Sequence, residues 1–114
     1  MSKRPNVLMV CGRNKRRSRT AEYMFKNDMR FHIRSVGLSP KSERKITEKD
    51  VEGADLIMVM ERAQRSRIQE TYRHLDLPAI EVLEIEDEYE YLNETLMELL
   101  DERINAVLSL RYKI

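Results

Sequence analysis

Cys11 is the only cysteine of the chain, and it stands between an apolar run and a crowd of positive charge, in the stretch NVLMVCGRNKRRSRTAEYMF (Asn6 to Phe25). Arg17 follows six positions later with Ser18 directly behind it, so CGRNKRRS (Cys11–Ser18) fits C-x5-R-[ST]. Five intervening residues let the backbone curl until successive N–H groups point inward. The positive end of a following helix adds to them, and the result is an anion nest. Gly12 permits unusual dihedrals, and Asn14 is one of the few other residues that tolerate a left-handed conformation. Arg17 offers a planar fork that matches two phosphate oxygens. The same field favours the nucleophilic thiolate of Cys11, and Ser18 can donate its hydroxyl hydrogen to the sulfur. The chemistry this spacing allows is attack of a thiolate on phosphorus. Cys11 would be the nucleophile, and Gly12, Arg13, Asn14, Lys15, Arg16 and Ser18 would join Arg17 around the phosphate.

A lone cysteine at the end of a strand is more often a small buried hydrophobe. What turns the reading here is context, because the arginine and serine fall where a strand gives way to a helix. The Walker pattern of nucleoside-triphosphate loops is absent. Such chemistry also needs a proton donor for the leaving oxygen. Glu84, Glu86, Asp87, Glu88 and Glu90 crowd one late segment, and spacing alone leaves open both which of them acts and whether any does. Tyr89 and Tyr91, in the same segment, either stack on an aryl ester at the rim or pack.

The elements that must position these residues alternate. NVLMV (Asn6–Val10) reads as a short buried strand, SRTAEYMFKNDMR as a helix with Ser18 as its N-cap, and FHIRSV (Phe31–Val36) as a second strand ending at GLSP. TEKDVE (Thr47–Glu52) is a helical turn with a capping box between Thr47 and Asp50. DLIMVM (Asp55–Met60) is the most hydrophobic strand. ERAQRSRIQETYRHL is a charged helix, AIEVLEI (Ala79–Ile85) a more exposed strand, and NETLMELLDERINAVLSL an amphipathic helix capped by Asn93. Strand and helix in alternation predict an α/β fold, a four-stranded parallel sheet with helices on both faces and the phosphate loop after the first strand. Ligands of such sheets bind at the C-terminal edge of the strands, where Cys11 and Asp87 would both lie.

The chain has 114 residues, enough for one domain over residues 1–114. Its formal net charge of +1 hides an asymmetry, since residues 1–50 hold 14 Lys/Arg against 5 Asp/Glu while the remainder holds 7 against 15. That split suits either a polyanion-binding half or a site made from a basic loop and a facing acidic one. One cysteine forms no internal disulfide, and MSKRPN has no apolar run of signal-peptide length, so the cytoplasm is the expected compartment. His32 and His74 have no metal-spaced partner, and neither a metal nor another cofactor is expected.

The stretch VLMVCGRNKRRSRTAE resembles the signature of the low-molecular-weight protein tyrosine phosphatases, C-x-x-N-x-x-R-S followed by a helix. RSVGL is similar to that family's SAG strand end, ITEKDVEGADLIMVME to its strand ending in methionine, and DEY (Asp87–Tyr89) to its Asp-Pro-Tyr. The resemblance covers most of the chain. It implies that Cys11 is the nucleophile, Asn14 a structural asparagine, Arg17 the phosphate-binding arginine, Ser18 the thiolate-stabilising serine and Asp87 the general acid and base. It further implies hydrolysis of a phosphorylated protein or small phosphomonoester, with inorganic phosphate as product. The chain is shorter than typical members. Arg16 stands where many carry a second cysteine, Glu88 replaces the proline after the acid, and Arg13 and Arg16 occupy positions that are often uncharged.

Two chemistries of similar loops fit less well. Arsenate reductases of this fold use several cysteines, and phosphocysteine carrier domains do without the loop arginine. The rival of another class is a non-catalytic module that binds phosphoprotein or nucleic acid through the basic loop. No aromatic is interleaved with the basic run, which weakens single-strand binding, and nucleic acid is not the expected partner. No apolar run approaches the roughly 20 residues that span a bilayer, so a membrane is not expected either.

Overall fold

The computed structural model describes residues 4–114; the first three residues of the MSKRPN segment and of the expected 1–114 domain lie outside the described residues. Four strands form one parallel sheet: β1 (Asn6–Cys11), β2 (His32–Gly37), β3 (Leu56–Val59) and β4 (Ala79–Val82). Their order is β2-β1-β3-β4. The helices between and after them are α1 (Arg17–Phe25), α2 (Glu48–Gly53), α3 (Arg62–Thr71) and α4 (Glu94–Tyr112).

The apolar strands explain the layering. On β1 the residues Val7, Met9 and Cys11 face one core, shared with Ala21 and Phe25 of α1 and with Leu96, Leu100, Ile104 and Leu108 of α4. Leu8 and Val10 face the other, shared with Val51 of α2 and Ile68 of α3. A strand buried on both sides has no polar face, so it reads as a continuous apolar run rather than an alternating one. The expected α/β sheet with helices on both faces is the architecture observed. No helix among the described residues is long and apolar enough to cross a membrane.

Element ends differ from the sequence expectation where turn chemistry intervenes. Helix α1 stops at Phe25 rather than continuing to Arg30. There Asp28 closes a turn, accepting from both the backbone N–H and the guanidinium of Arg30, a role that suits an Asn-Asp pair better than a helix does. Ser18 is not the N-cap, because the helix begins at Arg17, two residues earlier than a cap at Ser18 would set it, with Arg16 in the cap position and no side-chain cap. Strand β4 ends at Val82, short of Ile85, since Glu84 adopts a left-handed φ of 56°. The capping box of Thr47 and Asp50 is present, and Asn93 accepts from the amide of Leu96 at the start of α4.

Because β1 lies between β2 and β3, the chain leaves β1 toward one side of the sheet and returns on its other side. The loops after β1 and β3 therefore diverge, and a crevice opens between them at the C-terminal edge.

Candidate active site

Cys11 is the last residue of β1, and its side chain is buried at the floor of this crevice. The loop turns sharply at Asn14, whose φ of 52° is left-handed. Gly12, in contrast, has an ordinary negative-φ backbone, so the conformational freedom expected of it is not what shapes the loop. Asn14 is buried and donates from Nδ2 to the Ser18 hydroxyl at 3.0 Å. That bond takes up an acceptor site on Ser18 Oγ, which lies 2.9 Å from Cys11 Sγ. The free direction of the hydroxyl hydrogen is then toward sulfur. Starting the helix at Arg17 rather than after Ser18 is what places Ser18 in the first turn, facing back onto the thiol.

The loop backbone is held from outside and left open inside. The carbonyls of Cys11 and Gly12 accept from the amides of Leu38 and Ser39 at 3.0 and 2.7 Å. Gly37 supports the same loop by having no side chain. A Cβ there would lie 2.6 Å from the nitrogen of Asn14 and 2.7 Å from the carbonyl carbon of Arg13. Meanwhile the amides of Arg13, Asn14, Lys15 and Arg16 donate to no acceptor among the described residues. Consecutive free N–H groups at a helix N-terminus make a site for an anion.

Arg17 is buried, with 4% of its side chain exposed. Its Nη1 donates to the carbonyl oxygen of Ile85 at 2.6 Å, while Glu61 Oε2 and Asp87 Oδ1 stand 3.6 Å from Nη1 and Nε. The Nε–Nη2 edge is left without a hydrogen bond among the described residues, and that edge is the fork a tetrahedral oxyanion fits.

Asp87 reaches the site on a loop pinned at several points. Amides of Leu83 and Ile85 donate to the carbonyls of Val59 and Met60. Arg103 donates to the carbonyls of Leu83 and Glu84, and the amide of Leu92 donates to Thr20 Oγ1. Asp87 is 60% exposed and lines the cleft over Cys11, whose volume is about 470 Å³. Of the other acidic candidates, Glu84 pairs with Arg62 and Glu90 with Arg16.

Gly12, Arg13, Lys15 and Arg16 line the same cleft, whereas Asn14 and Ser18 lie behind it. The two tyrosines expected at the rim are not brought to it. Tyr89 packs against the α4-side core, where loss of water contact, with Glu88 beside it, raises its hydroxyl above the ordinary phenol value. Tyr91 lies under the Arg19 guanidinium, 5.7 Å from ring centroid to Cζ. Tyr89 thus packs, one of the two alternatives the sequence left open, while Tyr91 stays 42% exposed beside Arg19 and does not line the cleft.

Solved structures with this architecture come from several bacteria. The low molecular weight protein tyrosine phosphatase SP-PTP of Streptococcus pyogenes superposes with a TM-score of 0.75 at 19% identity, over 94% of this chain and 93% of that one. The fold is that of the low-molecular-weight protein tyrosine phosphatases. The YwlE arginine phosphatase of Geobacillus stearothermophilus gives 0.69 at 17% identity over 96% and 92% of the two chains. The tyrosine phosphatase Wzb of Escherichia coli K30, in complex with phosphate, gives 0.69 at 18% identity over 96% and 99%. No family model and no curated protein matches the sequence.

In this phosphatase fold four further residues of the chain line the cleft that the motif did not reveal: Ser39, Glu61, Gln64 and Arg67. Gln64 is buried, accepts from the amides of Met60 and Glu61, and faces Glu61 Oε2 at 3.4 Å. It thereby fixes the start of α3 and the carboxylate that stands by Arg17. The pairing Glu61-x-x-Gln64 is a capping box, which the sequence carried in plain view beside the capped turn at Thr47.

Proposed function

We propose that the protein is a cysteine-dependent phosphatase that hydrolyses phosphate monoesters through a phosphocysteine, in a reducing cytoplasm. The observation that carries this reading is the conjunction at the loop. Four open amides surround a thiol that a hydroxyl, itself held by Asn14, faces at 2.9 Å. A module that only bound phosphate would use the amides and Arg17, and would have no need of a hydroxyl aimed at sulfur. Neighbouring proteins lend support, since Wzb holds phosphate and a YwlE variant carries a phosphorylated active-site serine.

In the first step Cys11 Sγ attacks phosphorus, the S–P bond forms and the P–O bond to the leaving group breaks. The loop amides and the free edge of Arg17 bind the equatorial oxygens, whose charge they neutralise in the transition state. Asp87 donates its proton to the departing oxygen. In the second step the Asp87 carboxylate takes a proton from water, which attacks phosphorus from the side the leaving group vacated. The S–P bond breaks, inorganic phosphate departs and the thiolate returns, stabilised by the Ser18 hydroxyl. No step calls for a metal. Phosphotyrosine is the reference ester that the sequence resemblance implies.

The test is hydrolysis of p-nitrophenyl phosphate near pH 6 in the presence of chelator. Wild-type turnover is expected, with inhibition by vanadate and none from Cys11→Ser. Turnover that persists in Cys11→Ser, or its absence from folded wild type, removes the reading.

A further inference from the structure

The cleft over Cys11 carries more positive charge than one phosphate uses. Its floor already has the open amides and Arg17. Around the mouth stand Arg13, Lys15 and Arg16 from the loop and Arg67 from α3. Arg16 has Glu90 at 3.7 Å, but Arg13, Lys15 and Arg67 form no ion pair among the described residues. The two carboxylates of the cleft, Glu61 and Asp87, both stand beside Arg17 rather than beside these three. Cations of one sign around a concave, partly enclosed site focus the field on whatever enters.

What the walls lack matters equally. No aromatic or aliphatic side chain lines the cleft among the described residues. A phenyl ring is held by apolar and aromatic contact, and the two tyrosines of the acidic loop are occupied elsewhere, against the core and under Arg19. The volume of about 470 Å³ suits a small molecule.

We propose that the cleft takes a small phosphomonoester that carries a second anionic group, a phosphate or a carboxylate, on its leaving-group side. Arg13, Lys15 and Arg67 hold that second anion while the loop holds the phosphate to be cut. The inference rests on the phosphatase reading and narrows its substrate. A phosphotyrosine peptide with acidic flanks would meet the same cations, but its ring would find no apolar wall.

A matched pair of probes tests it: fructose 6-phosphate and fructose 1,6-bisphosphate, assayed at low salt beside p-nitrophenyl phosphate, phosphotyrosine and an acidic-flanked phosphotyrosine peptide. The bisphosphate is expected to exceed the 6-phosphate in kcat/KM by about tenfold, more than the statistical gain of a second scissile phosphate, and to lose that lead as salt rises. Arg67→Gln is expected to shrink the ratio by about threefold or more, and Arg67→Lys to keep most of it. Two outcomes overturn the inference while the phosphatase reading stands: nitrophenyl phosphate turned over with a bisphosphate ratio near one, or either phosphotyrosine probe preferred to the bisphosphate. Turnover of none of the esters overturns both.

Discussion

Arg17 donates through Nη1 to the carbonyl oxygen of Ile85 at 2.6 Å, two residues before Asp87. One guanidinium thus joins the loop that would hold phosphate to the loop that would supply the proton. Both partners are buried, Ile85 being 1% exposed, so the bond is shielded from water and ties the two loops together. A hydrogen bond from a charged donor contributes on the order of 1.5–3 kcal/mol. An oxyanion on the Nε–Nη2 edge of Arg17 would move Asp87 Oδ1 off its place 3.6 Å from Nε, while the bond to Ile85 keeps the acidic loop beside the cleft.

Arg17→Lys keeps the charge and removes the fork. It is expected to lower kcat/KM for p-nitrophenyl phosphate by about 100-fold or more, in line with the loss of a transition-state donor. The same change should free the acidic loop. Hydrogen exchange would show this as faster exchange across residues 83–89, with the amides of β1 unchanged. A drop in activity with the loop still protected would separate the two roles.

Asp87→Asn is a test of the proton. Esters with poor leaving groups need protonation in the transition state, and nitrophenolate does not. The variant is expected to lose about 100-fold or more on an alkyl or phenyl phosphate and far less on the nitrophenyl ester in the first step. Equal losses on both would move the acid role to a neighbouring carboxylate, and Glu61, 3.6 Å from Arg17, is the one placed for it.

Much of this was legible in the residues. The strands β1 and β3 announced themselves because burial on both faces leaves nothing but apolar side chains, and C-x5-R-[ST] at a strand end marked the loop. The candidate acid was harder. Five carboxylates lie between Glu84 and Glu90, and only the left-handed turn at Glu84 and the anchoring of Ile85 decide which faces the crevice. Glu61, Gln64 and Arg67 were read as one charged helix, because their convergence on Cys11 depends on β3 lying next to β1, a sheet order that no local pattern encodes. Ser18 has the look of an N-cap in sequence. A helix begun two residues early gives it a different task.

Ser18→Ala separates the two chemical steps. In the proposed mechanism thiolate is the leaving group when the phosphocysteine breaks down, and Ser18 is the hydroxyl that faces it. Its removal is expected to lower kcat by roughly 10- to 100-fold while the first step suffers less. Rapid mixing with p-nitrophenyl phosphate should then show a burst of nitrophenolate, close to one per protein, before the slow steady state. A uniform slowing with no burst would mean that Ser18 serves attack rather than breakdown.

Away from the site, Asp28 gives a pH-dependent stability term with a definite sign. The hydrogen bond from Arg30 holds its carboxyl below the ordinary aspartate value of about 3.8. A depressed carboxylate contributes stability above its unfolded pKa and loses it as pH falls through the lower folded value. The pair is partly exposed, so Asp28→Asn is expected to cost only about 0.5–1 kcal/mol at pH 7. In urea melts the gap between the two proteins should close as the pH is taken well below 3.8. A gap that stays constant would assign the loss to the turn geometry instead.

Gly37→Ala probes the support of the loop without touching a reacting group. The added methyl would collide with Ser42 Oγ and lie 2.6 Å from the Asn14 nitrogen and 2.7 Å from the Arg13 carbonyl carbon. Ser42 can rotate away, but the two backbone atoms belong to the loop itself, so the methyl must push the open amides out of register. Overpacking of this kind costs about 1–3 kcal/mol. Gly53→Ala is the control, since a Cβ there meets nothing within 4 Å, and it should leave the melting temperature near wild type. Phosphate protection against thermal unfolding should be present in wild type and Gly53→Ala and largely lost in Gly37→Ala. If Gly37→Ala kept full phosphate protection, the loop would be held by its own hydrogen bonds to Leu38 and Ser39, and the close approach of β2 would be incidental.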